Sequence, residues 1–476
     1  MSTFSGITTS SRALTAAQRG MEVTGQNIAN VNTEGYTRQR LEQSESVVGG
    51  VGMHARRLVP GEGVEITGIA RVSNALTESA ARQDVATAAE HRAGTAVWSR
   101  LEANLGEDGI SGLSTQLNTM HKAFSDLGNA TSTENALAGR THVLATAQNV
   151  ADTVRRVDTQ VQAQWAELGG QVSLHVEDVN ATAAQVAGLN TAILDAVTSG
   201  VSPNELLDQR EKALTHLSEV AGVRVVARDG GTVDVYLGNS TIVGGRQSFA
   251  VSVVHGTSLA EVKAGTSSTR LTVEGVEARP AGGALKATLD AVNTTVPDVS
   301  EGIDAAVQKI AAAVNAVYNP ATDANGVAVP GYSAANDFFT SSAASVKGGG
   351  AAERFQVNPA LTPASLRDSS AGTVDRAVAK ALGELPSAAN STTRTWRTTV
   401  VDVAARTQAS EVRADLAAQV SLKSIAARDS VSGVNIDEEM TNLVSYQHAY
   451  AAAARVLTTI DQALDTLINR TGLVGR

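Results

Sequence analysis

The sequence predicts a multidomain protein, mainly α-helical with an inserted β-rich domain, whose N- and C-terminal helices pair as a coiled-coil-like inner assembly domain. Three observations predict it. Near the chain start, Ile7, Leu14, Met21 and Ile28 recur every seven residues, the period of a helical seam. At the other end, Leu443, Tyr446, Tyr450, Ala453, Leu457, Ile460, Leu464 and Leu467 alternate in steps of three and four, a second seam of the same period. Between the ends, the helical pattern breaks at "GVRVVARDGGTVDVYLGNSTIVGG", where apolar and polar residues alternate around Asp-Gly-Gly, a hairpin signal.

The first helix is expected over residues 5–31, about 40 Å long at 1.5 Å per residue. Ser10, Ala17, Thr24 and Val31 stand at the intervening seam places. It runs into "NIANVNTEGYTRQR", Asn27 to Arg40. Here Asn30 and Asn32 suit a helix exit, because short amides bond local backbone and tolerate left-handed conformations. Gly35 supplies a permissive turn. Tyr36 to Leu41 then leaves as an extended connector, with Arg38 and Arg40 on one side.

Residues 75–220 read mainly as helix, with apolar steps such as Val179, Ala183, Val186, Leu189 and Ile193. A β-rich stretch reaches about residue 280. Helix returns from Ala284 to Tyr318, interrupted at Pro297 and stopped by Asn319-Pro320. A loop-rich, mixed section follows to about residue 372, then helix resumes to about residue 430. The last helix has Asn435 as its cap, with Glu438 at the N3 place reaching back, while Asp437 and Glu439 favour the positive end of the dipole. Arg470 and Gly472 mark its end. The expected domains are residues 1–34 with 436–476 as the terminal-helix unit, 35–222 with 284–320 and 373–435 as an elongated helical body, and 223–283 with 321–372 as a β-rich outer domain.

Composition limits the functions. Aromatic residues are only 3% of 476, so helices are expected to pack through small residues rather than around a ring-lined pocket. The net charge of -10 disfavours nucleic acid and anionic membrane as partners. With no cysteine, disulfides, thiol catalysis and thiolate-ligated metal are excluded. The first residues have no basic leader followed by an apolar run, so no Sec signal is expected, and no stretch nears the roughly 20 apolar residues of a membrane span.

No catalytic, cofactor or metal site is expected. Walker A, GxSxG and HExxH runs are all missing. "TDANG" at 322–326 lacks the carboxylates of a calcium loop, and His448 sits between seam positions of the last helix. The acidic run 437–439 has its structural reason in the helix dipole.

The two ends carry a likeness. "NIANVNTEGYTRQR" resembles the N-terminal signature of the bacterial flagellar rod, hook and hook-associated axial proteins, and "SGVNIDEEMTNLVSYQHAYAAAARVLTTIDQALDTLINR" looks like its C-terminal partner. The interior narrows the likeness. "SPNELLDQREKALTHLSEVAGVRVVARDGGTVDVYLGNSTIVGG" resembles the hook-associated protein 1 branch, and "GLSTQLNTMHKAF" and "GALKATLDAVNTTVP" fit it too.

The resemblance implies a structural component at the junction of hook and filament, secreted through the flagellar type III channel without a Sec signal. Its implied partners are about ten like copies in a ring of about eleven, the hook protein, the second hook-filament junction protein, and an export chaperone on the C-terminal helix. It implies an assembly interface of Ile7, Leu14, Met21, Ile28, Leu443, Tyr446, Tyr450, Leu457, Ile460, Leu464 and Leu467, and a connector motif of Asn30, Asn32, Gly35, Tyr36 and Arg38. The competing readings are a hook or distal-rod subunit, an enzyme housed in residues 223–372, and an adhesin-like binding module in the same region.

Overall fold

A computed structural model describes residues 3–46, 63–107, 112–321, 333–340, 350–369, 376–387, 391–466 and 468. Leu467, Arg470, Gly472 and the segment 322–326 lie outside them. The chain is mostly helical, with four small antiparallel sheets among the described residues.

Helix α1 (Thr3–Ala29) leads to a hairpin of β1 (Gln39–Glu45) and β2 (Val64–Arg71), in register Gln39 to Arg71 with a shift between Glu42 and Gln43. Four helices follow: α2 (Ala75–Leu105), α3 (Leu113–Gly128), α4 (Thr133–Thr198) and α5 (Asn204–Ala221). At 66 residues, α4 is the spine, about 100 Å at 1.5 Å per residue. Ser132 caps it by accepting from the Asn135 N–H. Strands β3 (Arg224–Ala227), β4 (Val233–Leu237), β5 (Ser240–Gly244) and β6 (Gln247–Ser248) form one sheet. β7 (Val251–Val254), β8 (Arg270–Val273) and β9 (Val276–Ala278) form another, with the short helix α6 (Leu259–Ala264) between β7 and β8. The chain enters this region at Gly222 and leaves it at Gly282-Gly283, and the two strands of chain cross there. A Cβ on Gly222 would lie 2.4 Å from the Gly282 nitrogen, and one on Gly283 2.6 Å from the Val220 backbone, so side chains would block the crossing.

The expected interruption at Pro297 is not a break. α7 (Gly283–Asp290) continues through a π-helical turn, Ala291–Thr295, into α8 (Val296–Tyr318) without leaving right-handed helical backbone. The wider turn just before Pro297 accommodates its ring and missing N–H within continuous helical backbone. β10 (Phe339–Thr340) and β11 (Gln356–Val357), then α9 (Ala377–Glu384), α10 (Thr392–Ser432) and α11 (Ile436–Asp465), follow.

The core runs along the helices through Leu101, Leu105, Leu117, Phe124, Val150 and Val179. α10 lies antiparallel on α2: Thr407 reaches the Trp98 carbonyl, Ser410 bonds Thr95 and Ser424 bonds Asp84. The second loop-rich section was expected beside the β-rich stretch. Its anchors are on the helices instead: Phe338 packs on Phe124 and Tyr318, Phe339 stacks on Phe355, and Arg140 of α4 holds Asp368. A third of this small set of aromatic rings is spent at one place because a segment with little regular structure has few other ways to bury apolar area.

One device recurs. Asn27, Asn180, Asn190, Asn293 and Asn315 each stand on helical backbone, and each exchanges two hydrogen bonds with the main chain of a single non-helical residue. The partners are Gln39, Val251, Val233, Thr269 and Phe339, respectively. An amide side chain offers the same donor and acceptor as a peptide group. Each asparagine therefore acts as one rung of a ladder, docking strand or loop onto helix.

Candidate functional site

The site is the place where both chain ends meet the helical body. α1 packs along α11, antiparallel: Gly6 faces Ile460, Gly20 faces Tyr446 and Asn27 faces Glu439, equal steps along each helix in opposite directions. A Cβ on Gly20 would lie 2.5 Å from the Tyr446 ring, so the missing side chain is what lets the ring rest on the α1 backbone. On the other side of α1, Arg12 bonds Ser46 at the end of the β1–β2 hairpin.

The buried face of α1 is Ser10, Ala16, Ala17, Gly20, Val23, Thr24 and Asn27. Ser10, Ala17 and Thr24 are buried as seam residues; toward the start of the helix Gly6 and Ala13 are half-buried like Ile7 and Leu14, and only in the last turns do Gly20 and Asn27 take the buried places instead of Met21 and Ile28. Those four large side chains are half-buried on the flank. The reason is shape: α11 supplies the bulk, so its partner must supply flatness. On α11, Leu443, Tyr446, Leu457, Ile460 and Leu464 are half-buried, Ala453 is buried and Tyr450 is 38% exposed. Ile436, Met440, Val444 and Val456 are more exposed still.

At the C-terminal end of α1 the packing becomes polar. The Asn27 amide donates to the Gln39 carbonyl at 2.9 Å and to Glu439 Oε2 at 3.0 Å. Its Oδ1 accepts from the Gln39 N–H at 3.0 Å and from the Tyr36 hydroxyl at 2.9 Å. Arg38 closes the ring with Nε on Glu439 at 2.8 Å and Nη1 on Glu438 at 2.8 Å, while its own N–H donates to the Ser432 carbonyl at the end of α10. Glu439 is 2% exposed, so its charge is stable there only with these partners. Glu438 thus holds Arg38. Asn435 caps α11 as expected, through the N–H groups of Asp437 and Glu438.

A second layer ties this knot to α5. Asn204, buried beside Pro203, donates to the Ile69 carbonyl and to Gln39. The Thr37 N–H reaches Asp208, and Arg71 ion-pairs with Asp208 at 2.7 Å while donating to the Thr37 hydroxyl. Arg82 pairs with Glu211, and Arg210 crosses to Asn190 and the Gly231 carbonyl, reaching the first sheet. Burial, with the carboxylates of Asp208, Glu205 and Glu439 nearby, pushes the Tyr36 phenol up to about 12. Burial raises Glu78 and Asp208 above the usual carboxylate range, and it lowers Arg210 to about 10. At neutral pH, Tyr36 stays a donor and Arg210 a cation. These groups hold rather than react.

Of the expected connector residues, Tyr36 and Arg38 are in this network. Asn30 bonds back to the Gln26 carbonyl and accepts from the Thr33 hydroxyl, and Asn32 is exposed. Neither asparagine is left-handed; Gly35, with φ of 83°, makes the turn. Asn27, Asn204 and Asp208 were not singled out by sequence pattern, though all three stand inside quoted motifs, and Glu439 was given only a place at the helix dipole.

Three stretches far apart in sequence therefore converge: 27–39, 202–211 and 432–439. A family described as flagella basal body rod protein matches residues 7–37, and one described as flagellar basal body rod FlgEFG protein C-terminal matches residues 428–470. Between them, the helical domain of flagellar hook-associated protein FlgK matches residues 98–339, half of the chain. The chain belongs to the FlgK family. Flagellar hook-associated protein 1 of Bacillus subtilis (strain 168) is 27% identical over 520 aligned positions, covering 100% of both chains. That of Escherichia coli (strain K12) is 29% identical over 230, covering 48% of this chain and 40% of that one. A solved structure, the flagellar hook junction protein FlgK from Burkholderia pseudomallei, aligns with a TM-score of 0.45 at 22% identity, over 55% of this chain and 46% of that one. Among the described residues, no helix is long and apolar enough to cross a membrane.

Proposed function

We propose that this chain is a structural subunit of the bacterial flagellum that joins hook to filament and assembles through its paired terminal helices. The observation that carries the proposal is the buried knot of Asn27, Arg38, Asp208 and Glu439. It fastens both chain ends to one body while leaving Ile7, Leu14, Met21, Ile28 and the flank of α11 only half-covered. Such a row is completed when neighbouring copies pack. In this reading, α1 and α11 form the inner assembly unit and mate with hook on one side and the next junction protein on the other. The helical body surrounds them, and the sheets between α5 and α7 lie outermost. Export runs through the flagellar type III channel, with a chaperone on α11 before assembly, and copies close a ring.

A hook or distal-rod subunit is the second reading, favoured by the rod-family matches at the two ends. The FlgK helical-domain match over 98–339 argues against it. An enzyme in the β-rich region is a third reading; the hollow of about 600 Å³ there is lined by residues that include His255, Thr257, Ser267 and Arg270, without the carboxylate pair that would favour this reading. The test is a strain whose chain lacks residues 436–476. The truncated chain is expected to be poorly secreted and the cells to carry hooks without filaments; normal filaments on that strain would sink the proposal.

A further inference from the structure

The other long surface helix, α10, is built inside out for a lone molecule. The face toward α2 follows a seven-residue repeat, Trp396, Val400, Val403, Thr407, Ser410, Ala414, Ala417, Ser421 and Ser424, and beyond its first turns it buries hydroxyls and methyls. The face away from α2 carries the larger apolar groups. Val401, Ala405, Ala409, Val412, Leu416, Val420, Ala427 and Val431 are all exposed, with Val412 at 63% and Leu416 at 62%. With Lys423 they step by four, four and three without a gap, an eleven-residue repeat that keeps one line on a nearly straight helix. The line is about 45 Å long at 1.5 Å per residue. A monomer gains nothing from this arrangement, since exposing valine and leucine while burying serine works against the hydrophobic effect.

We propose that this stripe is the side-to-side contact between adjacent copies of this chain, separate from the contact made by α1 and α11. The occupant is a second copy because a straight row of this length needs an equally long, parallel surface, and a neighbouring copy standing beside it supplies one. Glu411 and Asp415 lie along one edge of the row and Arg413 along the other. None of the three has an ion pair with another described residue, so each is available to an opposite charge across a head-to-tail contact. This inference rests on the reading of the chain as an assembling subunit.

The natural absence of cysteine makes the test clean. Val412→Cys, Leu416→Cys and, as reference, Tyr450→Cys on α11 are introduced singly into the full chain, labelled with a maleimide-benzophenone, and isolated hook structures are irradiated so that the probe captures whatever surface faces it. Crosslinking between copies is expected from positions 412 and 416, climbing to multimers because in a head-to-tail contact each copy both carries a probe and receives one. Copy-to-copy crosslinks from 450 with none from 412 and 416 would overturn the stripe proposal and leave the assembly reading standing. So would crosslinks from 412 and 416 to a different protein only. If the chain is missing from the hook structures altogether, the assembly reading itself fails and the stripe proposal with it. A Val412→Asp/Leu416→Asp chain should keep its melting temperature, because both sites are exposed, yet be lost from the structures; retention at the parent level contradicts the proposal.

Discussion

Asn27 and Glu439 show how far a single residue can matter when it sits at a convergence. Glu439→Ala takes one of two acceptors from each of Arg38 and the Asn27 amide, which keep only Glu438 and the Gln39 carbonyl; breaking a fully buried pair costs about 3–5 kcal/mol, and the loss here is expected below that because Arg38 is 24% exposed. The expected readout is a lower urea midpoint and faster proteolysis within α11, with Glu439→Gln losing less because it still accepts from Asn27. Equal stability of the alanine chain and its parent contradicts the assignment. The acidity of Glu439 was legible in the sequence, but its burial was not, since a charge at a helix start is ordinarily solvated and only a partner from the other end of the chain reverses that. His121 gives a second test. Buried between α3 and α10, it donates from Nδ1 to the Leu382 carbonyl and accepts at Nε2 from the Thr392 hydroxyl, and burial lowers its pKa. Above pH ~6.5 folded and unfolded chains both keep it neutral; below that, only the unfolded chain takes the proton, so stability falls as pH falls through this window. Glu78 and Asp208, raised by burial, act oppositely at lower pH, where the folded chain takes the proton first. The melting temperature of His121→Gln should therefore fall less than the parent's between pH ~6.5 and ~5.5. Identical slopes would contradict the burial argument.

Among the elements, the α1–α11 pair shows what periodicity tells and what it leaves open. The seven-residue period was readable at both ends, yet in the last turns of α1 the buried places are Gly20 and Asn27 rather than Met21 and Ile28, because size was taken as the sign of burial. Gly20 is buried against the partner for being small, and Gly6 faces Ile460 half-buried. Gly20→Ala places a methyl within the Tyr446 ring and is expected to loosen the pair by about 1–3 kcal/mol. A double mutant with Tyr446→Leu should recover part of that loss, a coupling absent if the two residues do not touch. The β1–β2 hairpin escaped notice because its strands are separated by residues 46–63 and only Gln39 and Leu41 alternate clearly with exposed neighbours. The π turn before Pro297 escaped because proline normally ends a helix, and the accommodation lies in backbone geometry that no residue type advertises.

At the scale of the whole molecule, the predominance of helix, the hairpin at Asp229-Gly230-Gly231 and the family likeness at both ends were all legible. Where the section after Tyr318 docks was not, because its anchors are side chains such as Asn315 and Phe338 that reach surfaces formed by distant helices. The same holds for the knot: its three stretches were each conspicuous in sequence, but only folding brings them together. Under the proposed function, load passed along α1 and α11 reaches α5 and the first sheet through Arg38, Asp208 and Arg210. The most direct measurement is electron microscopy of cells in which this chain alone is deleted, with the culture medium assayed for filament subunits. Bare hooks of normal length, with filament subunits released into the medium, are the expected result. Filaments still attached to the hooks, or hooks missing along with the filaments, would contradict the account.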